Sequence, residues 1–319
     1  MSSPRLTVAL ITPDDCSTIH KTVGCVAAQS VAREIELLVL TPDPERLHAD
    51  ENPVRAFHSL KVVPVDLSGG SGPVRGTAVR QASAPIIVFG EDHCYPESDW
   101  AESLLRAHAD DWAAVGPVVK NANPETLVSW ADLLMGYGPW LAPGKSGERD
   151  HLPGHNSSYK TDALLSLGSS LDDLMEAESA LQWKLRSMGL HIFQESAAQV
   201  AHTNFARWGV WLPVSFHAGR VFAATRAMDW SRARRLAFAA SSPLIPLVRL
   251  LRHLRQAFHA GLSPWLIARV APVLLLGLVF NAAGEAAGAV AGAGESRSTL
   301  VEWDFHRNVP RETARLAKT

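Results

Sequence analysis

The stretch PIIVFGEDHCYP, residues 85–96, couples a short apolar run to three polar side chains, Glu91, Asp92 and His93, with only Gly90 between them. A run so short, so apolar and so rich in β-branched residues predicts a strand buried on both faces, with Gly90 turning the chain at its end. Toward the N-terminus the same grammar repeats. LTVALI (6–11) stops at Thr12-Pro13-Asp14-Asp15, IELLVL (35–40) stops at Thr41-Pro42-Asp43-Pro44, and LKVVPV (60–65) is a weaker third strand. Between them, Ser17 or Thr18 is placed to cap a helix carrying Ile19, Val23 and Val26 on one face. Val74 to Ala82 suits a second helix, after the loop Gly69-Gly70-Ser71-Gly72. Strands alternating with helices predict an α/β fold with a mostly parallel sheet covered on both faces. Such sheets bind ligands outside the carboxyl ends of their strands, here Thr12–Asp15, Thr41–Asp43 and Glu91–His93.

Downstream, DHLPGHNSSYKTD (150–162) is polar and precedes a helix-like LLSLG. Residues 173–187 have helical spacing, Gly189 fits the cap, and 190–193 and 198–201 read as closing strands before His202. Beyond residue 206 the composition changes. Between Arg220 and Arg269 nine arginines face a single acid, Asp229, and 271–283 (APVLLLGLVFNAA) is strongly apolar. Arg269, Pro272, Asn281 and Glu285 bound or interrupt that run, so an interfacial or re-entrant segment beside a basic surface is expected rather than a full span. The expected organisation is a catalytic domain over 1–205, an Arg-rich helical extension over 206–300 that associates with membrane, and a polar tail over 301–319.

A formal net charge of -2 excludes a generally nucleic-acid-binding surface. Three cysteines, Cys16, Cys25 and Cys94, form no Cys-x-x-Cys pair, which argues against a disulfide framework and for a reducing, cytoplasmic setting. Residues 1–10 read as a first strand rather than a signal peptide.

Glu91, Asp92 and His93 at a strand end can hold a divalent cation that neutralises a diphosphate. They read equally well as an acidic turn capping the helix that begins near Pro96, Glu97 and Asp99. Gly154-His155-Asn156-Ser157-Ser158 offers donors to sugar hydroxyls or phosphate, or is a polar loop capping a helix. Glu176 and Glu178 stand two apart on a helix and so occupy different faces; either is a solvated surface acid unless a site recruits it.

In this order the segments resemble the family 2 glycosyltransferases of the GT-A (nucleotide-diphospho-sugar transferase-like) fold. The opening strand, turn and helix match 7–30, with Thr12, Thr22, Ala28 and Gln29 in step. The acidic triplet matches Glu91-Asp92-His93 with Pro96 and Trp100 downstream. The Gly-x-Asn loop matches Gly154-His155-Asn156, the acidic helix matches Glu176-Ala177-Glu178 through Gly189, and the closing strand and histidine match Val200 and His202. The resemblance covers about two thirds of the chain.

It implies an inverting, metal-assisted transfer of a sugar from a nucleotide-sugar donor to a lipid-linked, polysaccharide or other glycan acceptor, on the inner face of the cell membrane. It also implies Glu178 as catalytic base with Glu176 in reserve. Donor contacts would come from Thr12, Asp14, Asp43, Glu91, Asp92, His155 and Asn156. Asp92 and His93, with His202 completing the shell, would hold Mn2+ or Mg2+; an imidazole in the set favours Mn2+. Two departures stand out. His93 replaces an acid, and Thr41-Pro42-Asp43 replaces the family's Asp-Asp-Gly-Ser turn, which leaves the nucleotide base open and makes a silent nucleotide- or glycan-binding module the alternative. A nucleotidyltransferase reading is poor, because 12–15 is acidic and lacks glycine.

Overall fold

The computed structural model describes residues 3–13, 17–46, 54–68, 70–176, 178–305 and 307; Asp14, Asp15, Cys16, Gly69, Ala177 and most of the expected 301–319 tail lie outside them. Two compact units divide the chain: Met1–Lys120 with Trp140–His202, and Asn121–Pro139 with Thr203–Thr319.

In the first unit the elements run β1 (Leu6–Ile11), α1 (His20–Ala27), β2 (Ile35–Thr41), β3 (Ser59–Pro64), α2 (Ser71–Gln81), β4 (Ile86–Phe89), β5 (Cys94–Pro96), α3 (Trp100–Ala107) and β6 (Ala114–Asn121). After α4 (Leu127–Tyr137), which belongs to the second unit, come β7 (Gly147–Glu148), β8 (Ser158–Lys160), α5 (Thr161–Leu165), α6 (Leu171–Met175), α7 (Glu178–Ser187) and β9 (Ile192–His202). The sheet order is β3-β2-β1-β4-β8-β6-β9-β5, with β7 beside β9. The parallel sheet expected from the strand–helix alternation is its N-terminal half, β3-β2-β1-β4. The later strands add to it antiparallel, β8 on β4 and on β6, β5 and β7 on β9. This α/β architecture is the one the resemblance implies.

The apolar runs explain it. Leu6, Leu10, Ile35, Leu38, Leu40 and Ile87 are wholly buried, each contributing about 1.5–3 kcal/mol of transfer free energy. On one face of the sheet Leu38, Leu40 and Ile87 meet Val74, Ala78 and Val79 of α2, Leu171 and Met175 of α6, and Leu181 and Leu185 of α7. Two glycines let α2 approach α6: a Cβ on Gly72 would strike the Asp172 carbonyl oxygen, and one on Gly76 the Asp172 carboxylate.

Local readings need three corrections. Neither Ser17 nor Thr18 caps α1, whose N-cap is Ile19 without a side-chain bond; the Thr18 hydroxyl instead meets that of Thr12 at 3.1 Å. The two closing strands are one continuous strand, β9. The helix expected over 173–187 breaks into α6 and α7.

The second unit is helical. It comprises α4, α8 (Trp208–Arg226), α9 (Arg232–Ser241), α10 (Ile245–His259), α11 (Pro264–Ala291) and α12 (Ser296–Phe305). Residues 121–139, expected in the first domain, pack here: Asp132 of α4 accepts from Phe205 N (2.9 Å) and from the Trp211 indole (3.0 Å). Helix α11 runs straight through the expected interruptions and, by length and composition, is long enough to cross a membrane. Pro272 is exposed, so the carbonyl it leaves unbonded lies off the packed face. Asn281 donates to Ser215 O (3.1 Å) and accepts from Arg249 (2.8 Å), and the buried Glu285 pairs with Arg249. Gly284 and Gly288 lie against the α8 backbone, where a Cβ would strike the carbonyls of Phe216 and Arg220.

Candidate active site

Strand β4 delivers the polar triplet. At its end Gly90 N donates to Ala9 O (2.9 Å), and a Cβ there would sit 2.6 Å from a Leu10 methyl, so the turn takes glycine. Residues 91–93 cross to β5, whose Cys94 pairs in register with His202, the last residue of β9. That antiparallel pairing brings a histidine from more than a hundred residues away beside the triplet. The buried Thr22 hydroxyl of α1 lies 3.1 Å from the carbonyl oxygens of both Glu91 and Asp92, pinning the loop from beneath.

Glu91 is the hub. Its Oε2 accepts from Asn156 Nδ2 at 3.0 Å and lies 3.8 Å from His202 Nε2; its Oε1 lies 3.0 Å from His155 Nδ1 and 3.4 Å from His93 Nε2. Asn156 reaches it because its backbone is left-handed, φ 60°, a conformation asparagine tolerates better than most side chains, and its N–H is tied to Phe89 O at 2.8 Å. Beyond His155 the chain of polar contacts continues to Glu178, whose Oε1 lies 3.4 Å from His155 Nε2 and 2.7 Å from Arg75 Nη1. Arg75 also donates to Met175 O (3.2 Å) and contacts His155 Nε2. Gly154 makes room for Glu178, since a Cβ there would lie 2.8 Å from its carboxyl carbon.

The charges support one another. Burial alone would raise the Glu91 carboxyl, but the His155 and His93 imidazoles outweigh it and hold the group well below the usual carboxylate range. For Glu178, burial is likewise outweighed, here chiefly by the Arg75 guanidinium, and the carboxyl stays ionised. Burial would lower His155, and the Glu91 charge reverses this and raises it, while Arg75 beside Nε2 opposes.

Glu91, His93 and His202, all buried, present ligand atoms within 4.8 Å of one another. Two imidazole nitrogens and one carboxylate oxygen suit Mn2+, which accepts imidazole ligands, better than Mg2+, which prefers oxygen alone. The donor set therefore fits the cation that the resemblance implies. Asp92, expected as a ligand, takes a different place: its carboxylate contacts Nδ1 of His93 and leaves Nε2 directed at Glu91. A carboxylate on the far nitrogen of a metal-binding histidine fixes its tautomer and orientation.

Of the other expected residues, His155, Asn156 and Glu178 join this network. Glu176 does not; its carboxylate accepts from Gly72 N at 2.6 Å and caps the start of α2, where the helix dipole favours an anion. Thr12 is wholly buried, its hydroxyl 3.1 Å from that of Thr18, and it does not join the Glu91 network. Asp43 sits exposed on the turn after β2, its N–H bonded to the Thr41 hydroxyl at 3.3 Å. Asp14 lies outside the described residues.

Sequence reasoning missed Arg75. Its signal was a lone charge at i+3 from Gly72 and i−1 and i−4 from Gly76 and Val79, on the face that α2 buries.

No protein-family model matches the chain, and no curated protein does. Among solved structures it is similar to TarS 1–349 of S. aureus (17% identity, 92% of each chain covered, TM-score 0.47). It is also similar to the mannosyltransferase PcManGT from Pyrobaculum calidifontis in complex with GDP-Man and Mn2+ (18% identity, 100% of this chain and 82% of that one, TM-score 0.49). A third similar structure is GalNAc-T7 with UDP, GalNAc and Mn2+ (13% identity, 72% and 52% covered, TM-score 0.48). At such identities the chemistry has to be argued from the residues of this chain.

Proposed function

We propose that this protein is a metal-assisted, inverting glycosyltransferase that moves a hexose-like sugar from a nucleotide-diphosphate sugar to a lipid-linked, polysaccharide or other glycan acceptor. One observation carries the reading: a cluster fit for a divalent ion, Glu91, His93 and His202, joined through His155 to an ionised carboxylate, Glu178, at the carboxyl end of β4. A cation held by the cluster would neutralise the diphosphate as it departs.

The remaining work falls to the chain itself. His155 (29% exposed) and Glu178 (26%) are the members that reach solvent, while the three ligand side chains beneath them are at most 9% exposed. An acceptor hydroxyl would therefore meet Glu178. Its oxygen attacks the anomeric carbon, the bond to the diphosphate oxygen breaks, and the hydroxyl proton passes to the Glu178 carboxylate. One displacement inverts the anomeric centre. Asn156 and Arg75 hold Glu91 and Glu178 in place. The basic helical unit, with eleven arginines against three acids from 203 to 300, supports a site of action on the cytoplasmic face of a membrane.

A panel of nucleotide sugars, assayed with and without Mn2+, tests this. Turnover should require the ion, and Glu178→Gln should abolish it while donor binding persists. Robust turnover in that variant removes Glu178 from its role. The second reading, a silent nucleotide- or glycan-binding module, draws on the grip of Arg75 on Glu178. Calorimetric binding across the panel without turnover would select it.

A further inference from the structure

Helix α10 carries apolar residues on two sides, one packed against the unit and one exposed. Its inward residues include Pro246, Ala257 and the arginine that pairs with buried Glu285, Arg249. Its outward residues are Leu247, Val248, Leu251 and Phe258, preceded by Leu244, each between 56% and 65% exposed. At about 100° per residue, Leu247, Leu251 and Phe258 fall within roughly 40° of one another, so they form one stripe. Arg252 and Arg255 are exposed beside them. Across the turn at Gly261, α11 opens with Trp265, 72% exposed, followed one turn later by exposed Arg269. Water does not select this arrangement. A helix that already packs Ile245, Leu250 and Leu254 inward and still displays a second apolar stripe presents that stripe to something other than water.

Charge identifies that phase. From 203 to 300 the chain has eleven arginines, no lysine and three acids, Asp229, Glu285 and Glu295, of which Glu285 is buried on Arg249. A second copy of the same stripe would set arginine against arginine, which disfavours self-association. Guanidinium groups grip phosphates in a fork, tryptophan favours the headgroup level, and leucines partition into the acyl boundary. We infer that the α10 stripe, with Trp265 and Arg269 at the start of α11, is a docking surface for an anionic lipid bilayer, with α10 lying in the plane of the interface. This deepens the membrane location proposed above and uses none of the transfer chemistry.

Flotation of the full chain with lipid vesicles tests it. The chain should float with phosphatidylcholine vesicles containing about a third phosphatidylglycerol, and much less with phosphatidylcholine alone. Leu247→Ser/Leu251→Ser should lower partitioning by about a hundredfold, roughly an order of magnitude per leucine. Arg252→Gln/Arg255→Gln should weaken it about tenfold or more and flatten its salt dependence. All four side chains are solvent-facing or flank the stripe, so melting temperature should be unchanged, as should the melting shift produced by Mn2+ with nucleoside diphosphates. That shift reports the candidate active site separately, so loss of flotation and loss of the transferase reading are told apart. The inference is overturned if the wild-type chain fails to float, or if the serine variant floats equally well. It is also overturned if light scattering finds a dimer that the serine variant dissociates, since a second copy would then cover the stripe.

Discussion

Removing Arg75 should reveal how the candidate base is held. Its guanidinium is 9% exposed and lies 2.7 Å from Glu178, which is 26% exposed. An exposed pair at this distance contributes under about 1 kcal/mol, whereas stranding one partner of a fully buried pair costs about 3–5 kcal/mol. Three quarters buried, Glu178 belongs between these limits. Arg75→Met should therefore destabilise by about 3 kcal/mol, part of it from the Met175 carbonyl that also loses its donor. In a double-mutant cycle with Glu178→Gln, the coupling energy should be about 2 kcal/mol at pH 7. The sign of its pH dependence follows from the lowered carboxyl: the contribution is complete above the unfolded value near 4.5 and is lost as pH falls through the lower folded value. Urea unfolding of the four proteins at pH 7 and at successively lower pH measures both quantities. A coupling under about 0.5 kcal/mol, or one that does not shrink in acid, would refute an ion pair of this strength.

Other expectations follow from single contacts. Mn2+ should raise the melting temperature of the wild type, and His202→Ala or His93→Ala should remove that rise in a thermal-shift titration. Thr22→Val deletes the hydroxyl beneath the 91–92 carbonyls and should weaken Mn2+ binding at least about tenfold by calorimetry, with the fold retained by circular dichroism. Gly72→Ala places a Cβ against the Asp172 carbonyl and should cost about 2–3 kcal/mol in urea unfolding; a change within about 0.5 kcal/mol would show that α2 and α6 separate freely. His108 is held neutral, its pKa lowered by burial to about 4, with its Nε2 2.9 Å from the Ser158 hydroxyl. Its contribution is intact above pH 6.5 and should fall by about 3 kcal/mol on acidification toward pH 4, a slope that His108→Gln should flatten.

The strands were legible because burial on both faces leaves an unbroken apolar run, and 6–11, 35–40 and 85–89 have no other stable use. Asn156 and His155 were legible as a dense polar loop, though their partner was not. The continuity of α11 escaped the sequence reading for a physical reason. Pro272, Asn281 and Glu285 look like interruptions when only their own segment is seen, yet Ser215 and Arg249 of other helices bond the Asn281 side chain, and Arg249 pairs with Glu285 Oε1. The break between α6 and α7 escaped notice because 173–187 has helical spacing on both sides of it.

By itself the sequence determined the α/β alternation, the polar triplet at the end of β4 and the basic, apolar character of the C-terminal third. These are properties of contiguous residues, set by local propensity and by the period of burial. Which carboxylate faces the histidines was decided by tertiary structure. Register between β5 and β9 places His202 beside Glu91, the left-handed backbone at Asn156 reaches the same oxygen pair, and Asp92 is turned to His93. The same holds for Glu176 and Glu178: two residues apart in sequence, one caps α2 and the other meets Arg75, because the chain breaks between α6 and α7 and sends the two side chains to different neighbours.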